Sequence, residues 1–193
     1  MKKLLLLSAM FLSMLNVCAQ REVTKFLGIP VDGYKTEMIQ KLKAKGFIYD
    51  QKNDCLTGEF NGVDVVLKIV TNNNKVYRIM LSDAHQRSET DIRIRFNNLI
   101  DQFSRNKRYL CANPSKYLIP DNEDISYEMG VKSKRYEAIF FQMGTNTENV
   151  DSEIEVENMM KRSVWFMVGE LYSKYYIIMF YDNEWNHADG EDL

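Results

Sequence analysis

Apolar and polar positions change period several times along this chain, and each change marks an element. From residue 63 to 70, Val63, Val65, Leu67 and Ile69 alternate with Asp64, Val66, Lys68 and Val70, giving one wholly apolar face and one mixed face. The asparagines of Thr71-Asn72-Asn73-Asn74-Lys75 tolerate left-handed backbone angles, so this strand turns back into KVYRIMLSD as a β-hairpin. The returning strand has a near copy. Lys75, Tyr77, Ile79, Met80 and Asp83 recur at identical spacing as Lys174, Tyr176, Ile178, Met179 and Asp182, and a weaker copy begins at Lys134 with Tyr136 and Ile139.

Helical spacing appears twice. Thr36 can cap a helix whose stripe is Met38, Ile39 and Leu42, with Lys41, Lys43 and Lys45 at its negative end and Gly46 placed to stop it. Phe47 then folds back on Leu42 and starts a strand through Tyr49. A second strand runs from Cys55 to Phe60, and Asn61-Gly62 turns it into Val63. Ser88-Glu89-Thr90-Asp91 opens the second helix, whose stripe is Ile92, Phe96, Leu99, Ile100 and Phe103. Arg93, Arg95 and Arg105 belong to a solvated face, because Asp91 with Arg95 and Asp101 with Arg105 stand four apart.

The second half is less regular. Residues 107–124, with Asn113-Pro114 and Ile119-Pro120, read as a crossover. Strand signal resumes over 125–131, turns at Lys132-Ser133-Lys134 and returns through Tyr136 to Met143. Residues 144–162 are polar and predict a long loop or a short helix ending near Met160. The last hairpin, Ser163 to Leu171 and Tyr175 to Tyr181, is apolar on both faces, so it is central, or covered on its second side by helices or a partner. The predicted fold class is α+β: an antiparallel sheet of about seven to eight strands built from repeated hairpins, with two main helices packed on it. It forms one domain over residues 20–193, in half-modules of about 20–106 and 107–193.

Composition adds an address. Met1-Lys2-Lys3, an apolar run from Leu4 to Leu15 and Asn16-Val17-Cys18-Ala19-Gln20 form a secretory signal peptide over residues 1–19, cleaved after Ala19. The expected location is therefore periplasmic or secreted; the alternative is a lipoprotein anchored through Cys18, against which Val17 stands where a small residue is expected. No later segment is apolar and long enough for a transmembrane helix. Loss of Lys2 and Lys3 takes the net charge from −2 to −4, which excludes the basic footprint of a nucleic-acid binder. Cys55 and Cys111 survive cleavage and either pair as a disulfide or stay as buried thiols.

Five segments carry a resemblance: FLGIPVDGYKTEMIQKLKAKGF (26–47), TNNNKVYRIM (71–80), TDIRIRFNNL (90–99), EDISYEMGVKSKRYEAIFFQ (123–142) and YYIIMFYDNEWNHADGEDL (175–193). With them the chain resembles uncharacterised small exported proteins of Bacteroidetes, a likeness that implies export but no activity. In element order alone it is similar to two-repeat protein inhibitors of β-lactamase and to small outer-membrane assembly lipoproteins.

Catalytic equipment is sparse. No Gly-x-Ser-x-Gly elbow, P-loop, dinucleotide glycine pattern, HExxH or Cys-x-x-Cys occurs, and no cofactor is implied. His85 reads as an exposed linker residue. Asp182, Glu184 and Asn186 resemble the start of a calcium loop, but His187 stands where its turn glycine belongs, so the stretch reads as a solvated acidic tail and no metal site is expected. Dispersed carboxylates such as Asp64, Glu137 and Glu170 keep a hydrolase open as the alternative, beside an envelope assembly lipoprotein. The leading expectation is a non-catalytic binding or inhibitor-like module. It would use an exposed sheet face or the aromatic region of Tyr172, Tyr175, Tyr181 and Trp185 to hold a protein or glycan partner.

Overall fold

The computed structural model describes residues 21–144 and 153–188. The expected signal peptide with Cys18, and the end of the acidic tail, lie outside them. The fold is α+β, as its periodicity predicts. A small hairpin, β1 (Lys25–Phe26) and β2 (Ile29–Pro30), precedes an eight-stranded antiparallel sheet. The sheet strands are β3 (Ile48–Asp50), β4 (Cys55–Phe60), β5 (Val63–Asn72), β6 (Lys75–Asp83), β7 (Tyr109–Leu110), β8 (Glu137–Gln142), β9 (Ser163–Leu171) and β10 (Lys174–Asp182), in spatial order β3-β4-β5-β6-β10-β9-β8-β7. The two expected halves therefore meet where β6 pairs with β10, and one sheet runs through both.

Local chemistry sets the helices. In α1 (Lys35–Lys43) the cap position belongs to Tyr34, without a side-chain bond, so Thr36 sits inside the first turn rather than capping it. The glycine at the left-handed Gly33 and the bridge from Tyr34 to Lys75 bring the chain into the helix two residues early. Its end follows the Schellman pattern: the Phe47 amide donates to the Leu42 carbonyl at 3.2 Å and the Gly46 amide to the Lys43 carbonyl at 3.0 Å. Helix α2 (Glu89–Arg105) starts as expected, with Ser88 Oγ accepting from the Asp91 amide at 3.1 Å, and buries its whole predicted stripe.

Residues 125–131 correct the strand expectation. Asp124 Oδ1 accepts from the Tyr127 amide at 2.8 Å and starts a short helix, α3 (Ile125–Gly130). Ile125 is buried and Met129 packs on the core; their spacing of four suits a helix face as well as it suits alternation. The polar stretch before β9 contains α4 (Glu153–Met160), which buries none of its residues.

The core lies between the sheet and helices α1 and α2. One cross-strand row, Leu56-Leu67-Leu81-Met179-Phe166-Ala138, is buried throughout, and a second, Ile69-Ile79-Tyr181-Val164-Phe140, lies beside it. Opposite residues in a row share a sheet face, so this is the helix-covered side. Phe96 and Phe103 of α2 meet it ring to ring, Phe166 lying 5.2 Å from Phe96 and 5.6 Å from Phe103.

One further expectation changes here, and one open alternative is decided. Arg95 does not pair with Asp91 on a solvated face. It turns under the helix and donates to both oxygens of buried Asp83 at 2.6 Å, because that carboxylate needs compensation and, among the described residues, finds it in Arg95 and, at 3.4 Å, in Arg87. Arg93 is likewise tucked in, against the Glu123 carbonyl, and only Arg105 keeps the exposed pairing with Asp101, at 2.9 Å. Cys55 and Cys111 are free thiols. Cys55 opens β4 and Cys111 follows β7, six strand spacings or roughly 28 Å along the sheet, far beyond disulfide reach.

Candidate functional site

The other face of the sheet follows from the same register. Its rows are Val66-Ser82-Ile178-Met167, then Lys68-Met80-Phe180-Trp165-Ile139, then Val70-Arg78-Asp182. Among the described residues neither α1 nor α2 covers them. Val66, Met80, Trp165, Met167 and Ile178 are half-buried and Ile139 is exposed, while Phe180 and Asp182 between them are buried. Large apolar side chains thus stand in reach of water on β6, β10 and β9, the middle of the sheet, where a core would ordinarily be closed.

The centre of this face is rigid. Trp165 stacks on Phe180 with ring centroids 4.0 Å apart, and Trp165 Nε1 donates to Asp182 Oδ2 at 2.8 Å. Arg78 completes the cluster by donating Nε to Asp182 Oδ1 at 2.6 Å and Nη2 to Oδ2 at 2.7 Å, with its guanidinium carbon 4.9 Å from the Phe180 ring centre. The hydrogen bonds from Arg78 to Asp182 raise the arginine further above its ordinary range. Fork and carboxylate therefore cancel each other's charge. Beyond the Ile178–Met167 row on the same face, Gly169 lies under the Tyr176 ring: a Cβ there would come within 2.8 Å of it. The ring fills the space that a glycine leaves in a strand.

The four aromatic residues expected to form one exposed surface are scattered. Tyr172, 91% exposed, and Ser173 occupy the β9–β10 turn with φ of 53° and 58°, a two-residue turn of the type that matches strand twist. Trp185 lies beyond β10 in a single 3₁₀ turn (Glu184–Asn186), its ring centre 3.9 Å from Lys161 Nζ and 4.7 Å from the Arg21 guanidinium. Tyr175 and Tyr181, 2% and 3% exposed, point into the helix-covered layer. This corrects the expectation that their rings face outward. The parity of β10 puts Tyr175, Ile177, Met179 and Tyr181 inside and Tyr176, Ile178 and Phe180 on the open side.

The carboxylates do not converge. Asp64 and Glu137 lie on β5 and β8, four strand spacings or roughly 19 Å apart, well outside the separations of paired catalytic acids. Asp64 faces His85 at 3.5 Å and Glu137 faces Arg135 at 3.0 Å, in exposed pairs, while Glu170 lies exposed near the β9–β10 turn. Asp182 and Asn186 are spent on the fold: Asn186 Nδ2 donates to Asp32 Oδ1 and to the Val76 carbonyl, both at 2.8 Å. His187 packs edge-on against Tyr77 at 5.1 Å. The residues that sequence reasoning missed are Trp165, Met80, Met167, Ile178 and Phe180. For all but Met80, which lies on β6, the signal was the last hairpin's apolar character on both faces. Comparison with protein-family models, curated proteins and solved structures finds no match.

Proposed function

We propose that this chain is an exported, non-catalytic binding module that holds another protein against the open face of its sheet. The row Met80-Phe180-Trp165-Ile139 carries this reading, together with its neighbours Ile178 and Met167. Each Å² of apolar surface left wet there forgoes about 25 cal/mol, and a contiguous patch of this kind suits a partner that covers it. Charge selects the partner's class. Arg78 and Asp182 neutralise each other, so the centre favours an uncharged apolar surface. A glycan would need polar groups aimed outward at its hydroxyls, and the Trp165 indole N–H is already bound to Asp182. Methionines such as Met80 and Met167 adapt to an irregular apolar protein surface. The N-terminal run from Lys2 to Ala19 supports export.

Affinity capture with paired variants tests the proposal. Ile178→Asp and Met167→Asp should keep the melting temperature and lose the captured protein, whereas Asp101→Lys on the exposed side of α2 should keep both. Capture that survives both open-face changes would overturn the reading.

A further inference from the structure

On the helix-covered side, the layer is not closed at one end. A groove of about 810 Å³ lies between the N-terminal hairpin, the β4–β5 turn, the last turns of α2 and β7–β8. Its size falls in the range of small-molecule sites. Aromatic side chains make its walls: Phe103 and Tyr109 meet edge to face at 4.7 Å, and Phe60 and Tyr181 do the same at 6.4 Å. Tyr181 is the ring that the sequence singled out, seen here from the opposite side of the sheet.

Two amide bridges hold the groove's sides apart and fixed. Gln142 accepts from the Lys25 amide and donates to the Lys25 carbonyl, each at 2.7 Å, which ties the N-terminal hairpin to β8. Asn61 Nδ2 donates to Gln102 Oε1 at 2.7 Å, tying the β4–β5 turn to α2. Gln142 also donates to the Tyr109 hydroxyl at 3.2 Å. The charged lining comprises Lys25 and Arg108 against a single acid, Glu59. Among the described residues neither cation forms an ion pair.

We propose that this groove is a ligand site for a small aromatic carboxylate, its ring laid among Phe60, Phe103, Tyr109 and Tyr181 and its carboxylate met by Lys25 and Arg108. An aromatic-walled cleft takes a flat apolar body, and two cations against one acid among the described lining residues favour an anion for its polar end. Arg108 suits a carboxylate by its planar fork, and Lys25 adds a second charge from the hairpin. The site is independent of the open sheet face, which lies on the other side of the strands.

Titration of the mature protein with 2-naphthoate, followed by the ligand's fluorescence and by calorimetry, tests this. Saturable one-to-one binding is expected, weakened roughly tenfold by Arg108→Gln and by Lys25→Gln, in line with losing a charge-assisted hydrogen bond. The neutral 2-naphthalenemethanol should bind about tenfold more weakly than the acid. Leu27→Trp, at an exposed position of the N-terminal hairpin that lines the groove and takes no part in either amide bridge, should fill the groove and abolish binding without lowering the melting temperature. Ile178→Asp on the open face should leave it unchanged. Absence of saturable binding, equal affinity for acid and alcohol, or indifference to Leu27→Trp would each overturn the proposal, and loss with Ile178→Asp would move the ligand to the open face.

Discussion

KVYRIMLSD and KYYIIMFYD lie side by side as β6 and β10, yet their closing carboxylates point to opposite faces of the sheet. Asp83 sits under α2, gripped by Arg95, whose side chain is 14% exposed. Asp182 faces the other side of the sheet and is just as buried, but its partners are Arg78, 25% exposed, and the half-buried Trp165 indole. Matching positions of the copies follow suit: Ile79 is in the core and Ile178 is half-exposed. Side chains alternate with period two, and the antiparallel register pairs Ile79 with Tyr181 and Ser82 with Ile178, so equivalent residues fall on different faces. One sequence pattern thus serves once as a core latch and once as the neutral centre of a wet apolar surface. Repetition in sequence does not mean repetition in role.

The largest contrast should come from the matched isoleucines. Ile79→Lys places an ammonium in the core and should unfold the domain, a loss above about 4 kcal/mol, while Ile178→Lys should cost less than about 1 kcal/mol in urea unfolding. Equal losses would break the comparison. Next come the carboxylates. Asp83→Ala leaves Arg95 buried and unpaired and should cost about 3–5 kcal/mol. Asp182→Ala should cost about 1.5–3 kcal/mol, because Arg78, though its carboxylate is as buried as Asp83, can turn to water; the reverse order would mean that Arg78 is held as firmly as Arg95.

The glycines sharpen it further. A Cβ on Gly58 would come within 2.8 Å of buried Phe47, and one on Gly169 equally close to the Tyr176 ring on the open face. Gly58→Ala should therefore cost about 1–3 kcal/mol, and Gly169→Ala less, since Tyr176 can swing outward. The same stability loss at both sites would show Tyr176 to be as confined as Phe47.

The smallest effect belongs to the rim of the covered layer. Burial pushes the Glu123 carboxyl up, but hydrogen bonds from Lys134, at 2.5 Å, and from Tyr136 outweigh it and hold the group below its ordinary 4.5. Its stabilisation is then complete above about pH 4.5 and is lost as pH falls through the lowered value. The melting-temperature gap between the native chain and Glu123→Gln should close on acidification, and a gap constant with pH would contradict the pairing.

Much of this fold is legible in the sequence because its signals are local: Ser88 and Asp91 cap α2, Gly46 stops α1, and alternation gives β5 and β6. Three features are not, each for a physical reason. Ile125 and Met129 satisfy a strand and a helix alike until the Asp124 cap decides. Arg95 has an acid four residues back at Asp91 and a buried one at Asp83, and burial decides. Tyr175 and Tyr181 drew attention by ring count, but which parity of β10 faces the helices depends on pairing with β6 and β9, a long-range fact. The ambiguity was written in the hairpin itself, apolar on both sides, and the open face is its resolution.

The most direct measurement is site-specific photo-crosslinking from position 178 in the cell that makes the protein, with products mapped by mass spectrometry. A discrete adduct to one other protein, absent when the crosslinker is moved to position 101, is the result expected of a sheet face that holds a partner. Crosslinks only to residues of the same polypeptide would mean that the chain covers this face itself, and would contradict it.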